Sequence, residues 1–199
     1  LASNGSDIAA VILAAGLSSR FGYPKPALRF DRERNFLQQL AHVFSDFGCG
    51  RIIAVINEEL NDFFRLNSVF YPENVEIVIN PMPEKGRLFS LKTGLKKIEN
   101  PEYVFITNVD NPFADPFLLD ELSKNREEAD WIVPVFNGKG GHPVLISRAI
   151  VNAVCESDQD DINLREFLKN FDSYMLETDD ERILININAL EDYHRYFYK

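Results

Sequence analysis

Short, continuous apolar runs alternate along the chain with segments whose apolar residues recur every three or four positions. Ile8–Leu13 (IAAVIL) is apolar throughout and ends in small residues and Gly16, the pattern of a strand buried on both faces. Asn35 precedes Phe36, Leu37, Leu40, Val43, Phe44 and Phe47, a helical stripe with an N-cap and a Gly48 stop. The same reading predicts strands over Ile52–Ile56, Val75–Ile79 and Tyr103–Thr107, and helices over Leu60–Leu66 and Leu88–Ile98. Asp115-Pro116 opens a helix through Leu122, with Asp as N-cap and Pro at the first helical position. Strand-like Trp131–Val135 and Val144–Ile146 follow, then helices over Ile162–Leu168 and Ala189–Phe197.

Strands alternating with helices through short connections predict an α/β fold, a three-layer α/β/α sandwich around a Rossmann-like, mostly parallel sheet. Ligands of such sheets bind outside the carboxyl ends of the strands, so the loops after Leu13, Ile79 and Thr107 are expected to share one edge. A chain of 199 residues can bury roughly 70% of its unfolded surface in one core. One domain over 1–199 is therefore expected, with 1–7 as a flexible lead.

The formal net charge of −10 argues against a surface built for duplex nucleic acid or an anionic membrane, since each phosphate contact needs a Lys or Arg. No apolar run approaches the roughly 20 residues of a membrane span. The two cysteines, Cys49 and Cys155, lie far apart without CxxC spacing, which fits neither a disulfide framework nor a zinc site and predicts a reducing cytoplasm. The acidic run Glu156–Asp161 reads as a solvated loop.

Candidate chemistry starts after the first strand. Leu13–Leu28, LAAGLSSRFGYPKPAL, holds two glycines, two serines, Arg20 and Lys25 in one loop. Gly16 permits a tight turn with exposed N–H groups that bind phosphate oxygens, Arg20 can pair with phosphate bidentately, and Lys25 can follow a single oxygen through a reaction. A Walker loop is excluded because Gly22 is followed by Tyr23 and Pro24; a dinucleotide GxGxxG is excluded by Gly16-Leu17-Ser18.

The string LAAGLSSRFGYPK resembles the LAAG-x-[SG]-x-R-[FM]-G-x-x-K signature of the MobA-like nucleotidyltransferases, which include the molybdenum-cofactor cytidylyl- and guanylyltransferases. The resemblance implies a nucleotide-diphospho-sugar transferase-like fold, with Leu13, Ala14, Ala15, Gly16 and Arg20 cradling the triphosphate and Lys25 at the reacting phosphates. Asn108-Val109-Asp110-Asn111-Pro112 is similar to the family's GDQP segment, implying Asp110 as a Mg²⁺ ligand, with Asn in place of the usual Gly and Gln. Ile183–Asp192 (ILININALED) resembles the closing DIDTPED or NINTPED segment that follows a strand. Its register puts Asn188 at the second metal position, although Asn186 and Asn188 also read as caps of the last helix.

Asn80–Leu95 resembles the loop and helix that lie against base and ribose, which points to Gly86, Arg87, Ser90 and Leu91. Gly138–Leu145 (GKGGHPVL) resembles the GHPVLF segment of the cytidylyltransferases, implying an acceptor contact at Gly141, His142 and Pro143. The GDxGAR-like segment usual in those enzymes is absent, since Ser157–Arg165 reads SDQDDINLR.

The activity implied is Mg²⁺-dependent transfer of an NMP group, CMP before others, from an NTP to a phosphorylated acceptor such as the molybdopterin cofactor, with release of pyrophosphate. Arg20, Lys25 and Asp110 would be catalytic. No nucleic acid or membrane partner is expected, and the chain should be a monomer or weak homo-oligomer. A regulatory nucleotide-binding protein without turnover is the alternative, motivated by the neutral Asn186 and Asn188. An NAD-dependent enzyme shares the fold class and lacks the fingerprint.

Overall fold

A computed structural model of the protein describes residues 7–16, 22–158 and 163–198. Arg20, its neighbours 17–19 and 21, the lead 1–6 and most of the acidic run's second half lie outside the described residues.

The backbone of the fold is a mixed sheet ordered β3-β2-β1-β4-β7-β5-β6, with β8 pairing on β5. Four neighbouring strands are parallel: β1 (Ile8–Leu13), β2 (Arg51–Ile56), β3 (Val75–Ile79) and β4 (Tyr103–Asn108). β7 (Val144–Ser147) runs antiparallel to β4 and to β5 (Trp131–Phe136), so β5 resumes the direction of β4. The two-residue β6 (Lys139–Gly140) closes a hairpin on β5, and β8 (Ser173–Glu177) lies parallel beside β5.

Helices cover both faces. On one face α1 (Phe36–Phe47), α2 (Glu58–Leu66), α4 (Pro116–Lys124) and α7 (Leu190–Phe197) bury an apolar cluster that includes Ile8, Ala10 and Ile12. On the other, α3 (Gly86–Leu95), α5 (Arg148–Glu156) and α6 (Leu164–Leu168) pack with Ala9, Val11 and Leu13. Alternate residues of β1 thus enter different cores, which is why its sequence is apolar at every position. Among the described residues no helix is long and apolar enough to cross a membrane.

The local signals act as their chemistry requires. Asn35 caps α1 by accepting from the Gln38 N–H at 2.8 Å while the Gln38 side chain accepts from the Asn35 N–H, a reciprocal capping box. Gly48 ends α1 in the left-handed region at φ 99°. Asp115 accepts from the Leu118 N–H at 3.0 Å, with Pro116 opening α4.

The elements α5, β6 and β8 were not foreseen. Residues 185–188 follow a 3-10 turn over Glu181–Leu184 and lie outside any strand, and the strand that precedes the turn is β8. The aromatic C-terminal helix packs on its own domain core: Tyr193 and Phe197 meet Phe36, and Phe197 also meets Phe30 and Phe113.

Candidate active site

At the carboxyl edge of the parallel strands the chain after β1 is pinned from both sides. Ala14 donates its N–H to Val55 O at 2.8 Å, and Val109 donates to Leu13 O at 3.1 Å. Asn57 caps α2 by accepting from the Leu60 N–H and donates its amide to Ala15 O at 3.3 Å. These bonds aim the backbone at a cavity of about 350 Å³ whose first wall is Leu13, Ala14, Ala15 and the exposed Gly16.

The opposite wall joins two segments far apart in sequence. Lys25 opens a short 3-10 turn and its Nζ donates to Asn188 Oδ1 at 3.1 Å. Asn188 is held by its backbone N–H, which donates to Asp192 Oδ2 at 2.9 Å, and Ala189 donates to the same oxygen at 3.0 Å. Asp192 therefore caps α7, and the two asparagines do not: Asn186 donates to Leu184 O and Asn188 faces Lys25.

The end of β4 supplies the floor, with Asn108, Val109 and Asp110 lining the cavity. The Asp110 carbonyl accepts from the Ile187 N–H at 2.8 Å, while its carboxylate Oδ1 is buried without a partner. Beside it Asn111 donates its amide to Arg182 O at 3.1 Å and Ile183 O at 2.9 Å, stapling the C-terminal segment to β4.

Gly86, Arg87 and Ser90 line the rim, with Pro83. Ser90 is buried: it donates its hydroxyl to Gly86 O at 3.1 Å and accepts from the Asn80 amide at 2.9 Å, so much of its hydrogen bonding shapes the loop. Leu91 does not line the cavity. It is wholly buried in the second apolar core, because successive helix residues point about 100° apart, so Ser90 meets the cavity while Leu91 meets the sheet.

The GHP turn also differs from expectation. Gly141 and Pro143 are buried and away from the cavity wall, and a Cβ on Gly141 would stand 2.4 Å from Ile183 O. The glycine makes room for this chain's own C-terminal segment rather than for an acceptor. His142 donates its backbone N–H to Ile183 O at 3.1 Å and sets its Nε2 2.9 Å from the Asn108 side-chain amide, leaving Nδ1 buried and unpartnered. Burial pushes the imidazole down to about 4; Asp110 opposes the shift and Arg87 reinforces it.

Sequence reasoning overlooked the asparagines at the strand ends. Asn57, Asn80 and Asn108 close the apolar runs of β2, β3 and β4, and all three are buried. An Asn at the end of each of three successive parallel strands was the available signal, because an amide there can tie loops that carry unpaired backbone groups.

Among the described residues no three or more His, Cys, Asp or Glu side chains gather as a metal cluster. The unpartnered Asp110 Oδ1 and the Asn188 amide oxygen do form an all-oxygen pair on one cavity, which fits a hard divalent cation that takes its other ligands from phosphate and water.

An open cavity lined by the backbone of Ala14–Gly16, Lys25 and Arg87 suits a substrate bearing several phosphate charges, and it lies at the carboxyl edge of a parallel sheet, where open α/β sheets bind their ligands. Residues 10–177 match the profile of the MobA-like NTP transferase domain, so the chain belongs to that family and is a nucleotidyltransferase. It is 28% identical over 192 residues to the molybdenum cofactor cytidylyltransferase of Escherichia coli K12, with 94% of each chain covered. A "Probable molybdenum cofactor guanylyltransferase" of Bacillus licheniformis is 25% identical over 190 residues, with 92% of each covered. Among solved structures, Rv0371c from Mycobacterium tuberculosis H37Rv superposes with a TM-score of 0.83 at 20% identity over 98% of both chains, a likeness of fold.

Proposed function

We propose that the protein transfers CMP from CTP to the terminal phosphate of a molybdopterin-type acceptor and releases pyrophosphate. The observation that carries this reading is the convergence of Leu13–Gly16, Lys25 and Asp110 on one cavity, joined to similarity to a cytidylyltransferase over 94% of both chains.

An acceptor phosphate oxygen attacks the α-phosphorus; the new P–O bond forms as the bond to the β-phosphate bridging oxygen breaks, and the electron pair leaves with pyrophosphate. The phosphate monoester is already largely ionised near neutral pH, so no general base is needed, and positioning with charge neutralisation supplies the catalysis. The N–H groups of the turn at Gly16 hold phosphate oxygens, Lys25 faces the reacting phosphates, Arg20 holds the leaving group, and Arg87 covers the rim. Asp110 and Asn188 would hold Mg²⁺, which supplies neutralisation of phosphate charge. His142, uncharged at neutral pH because its ring is buried, pairs its Nε2 with the side chain of Asn108, which lines the cavity.

The test is pyrophosphate release from CTP, GTP, ATP and UTP with Mg²⁺ and the molybdopterin cofactor. CTP is expected to be preferred. Preference for GTP would move the chain to the guanylyl branch, and nucleotide binding without turnover on the cofactor would reject this acceptor and favour the regulatory alternative.

A further inference from the structure

Among the described residues lining the cavity Asp110 is the one acidic side chain, set against Lys25 and Arg87. The second oxygen donor, Asn188, is neutral, and its Oδ1 accepts a hydrogen bond from the Lys25 ammonium at 3.1 Å. The nearest further carboxylate on that segment, Asp192, is committed to the N–H groups of Asn188 and Ala189. A divalent cation entering the nucleotide-free protein therefore meets a single negative charge and an ammonium bound to the other ligand position. Hard cations are held chiefly by charge, and such a site is poor by that measure.

A triphosphate changes each of these conditions. Its oxygens compete with Asn188 for the Lys25 ammonium, release Oδ1 for coordination, and bring negative charge and further oxygen ligands to the same cavity. We infer that the metal site of this chain is assembled by its nucleotide, with the Lys25–Asn188 hydrogen bond blocking the second ligand until phosphate withdraws the ammonium. Cation and nucleotide then bind with positive coupling, and by linkage each strengthens the other by the same factor. The inference rests on the cavity being the nucleotide site.

The experiment pairs two binding measurements that need no turnover. Mn²⁺ is titrated with nucleotide-free protein and followed by the electron paramagnetic resonance signal of the free ion. CTP binding is then measured by equilibrium dialysis in the presence of a chelator or of saturating free Mn²⁺. Wild-type protein should leave the free Mn²⁺ signal unchanged at concentrations where Asn188→Asp depletes it, because the substitution adds the missing charge. CTP should bind wild-type protein at least tenfold more tightly with Mn²⁺, and Asn188→Ala should lose most of that gain while still binding CTP. Nucleotide-free wild-type protein that binds Mn²⁺ as tightly as Asn188→Asp, or CTP affinity indifferent to Mn²⁺, overturns the inference while leaving the nucleotide site intact. No CTP binding under either condition overturns both.

Discussion

Asn111 donates its side-chain amide to the carbonyl of Ile183 at 2.9 Å across 72 residues of sequence. The same nitrogen reaches Arg182 O, and Ile183 O also accepts from His142 N–H, so one carbonyl gathers the end of β4, the GHP turn and the segment that delivers Asn188. Replacing Asn111 by Ala removes one donor from each carbonyl, while Arg182 O keeps the Ile185 N–H and Ile183 O keeps the His142 N–H, and should cost about 0.5–1.5 kcal/mol. Chemical denaturation measures this, and a loss below about 0.5 kcal/mol would show that the staple is dispensable.

Gly141 and Gly16 make a matched pair of tests. A methyl on Gly141 meets Ile183 O at 2.4 Å and its Cβ at 2.7 Å, so Gly141→Ala should destabilise by about 1–3 kcal/mol through overpacking. Gly16 has nothing within 4 Å of the same position, and Gly16→Ala should unfold within about 0.5 kcal/mol of wild type. Melting temperatures that rank the two variants the other way would contradict this packing.

Lys25→Met should lower kcat by about 10²–10³-fold, the size expected when a donor to developing charge is removed. Its melting temperature should stay near that of wild type, because Lys25 is only partly buried and the Asn188 amide to which it donates is exposed. Asp110→Ala should reduce Mg²⁺-dependent turnover by more than about tenfold. Retained turnover in either variant would remove that residue from the chemistry.

His142 makes stability depend on pH. Its imidazole titrates near 6.5 when the chain is unfolded and at about 4 when folded, so between these values the unfolded chain binds more protons. Stability is fully present above 6.5 and is lost as the pH falls toward 4. The full shift is worth at most about 3 kcal/mol. In denaturation curves the advantage of wild type over His142→Gln should shrink as the pH falls from 7 to 4. A constant difference would mean that the ring is not held neutral.

The strands that enter two cores were legible because burial on both faces leaves no polar position to confuse the pattern, as in Ile8–Leu13 and Ile52–Ile56. The α1 and α4 caps were equally legible, since Asn35 and Asp115 stand beside stripes that begin at once. β8 escaped because it borders only β5 and alternates exposed with half-buried residues, among them the exposed Met175. α5 escaped because Arg148 starts the helix directly after β7, with no turn residues to mark the change of period. In the site, the motifs gathered Gly16, Lys25, Gly86, Arg87, Asp110 and Asn188 onto one cavity. They did not separate Leu91, the neighbour of cavity-lining Ser90, or Gly141, both of which serve packing. A local motif fixes which residues are neighbours in sequence; the direction each side chain takes is set by helices and strands that pack from elsewhere.

The C-terminal helix has a bearing on how the protein is made. Tyr193 donates its hydroxyl to Arg29 O at 2.8 Å, and the rings of Tyr193 and Phe197 pack on Phe30, Phe36 and Phe113, so α7 clamps the stretch that follows Lys25 while its own start presents Asn188. Domains generally fold as units, and a growing chain cannot complete this one before its last helix is available. During translation the four parallel strands emerge early, yet the cavity gains its Asn188 wall only when the C-terminal segment follows. A polypeptide released before Asn188 carries the Ala14–Gly16 edge of the cavity without the Lys25–Asn188 bond or the aromatic clamp of α7.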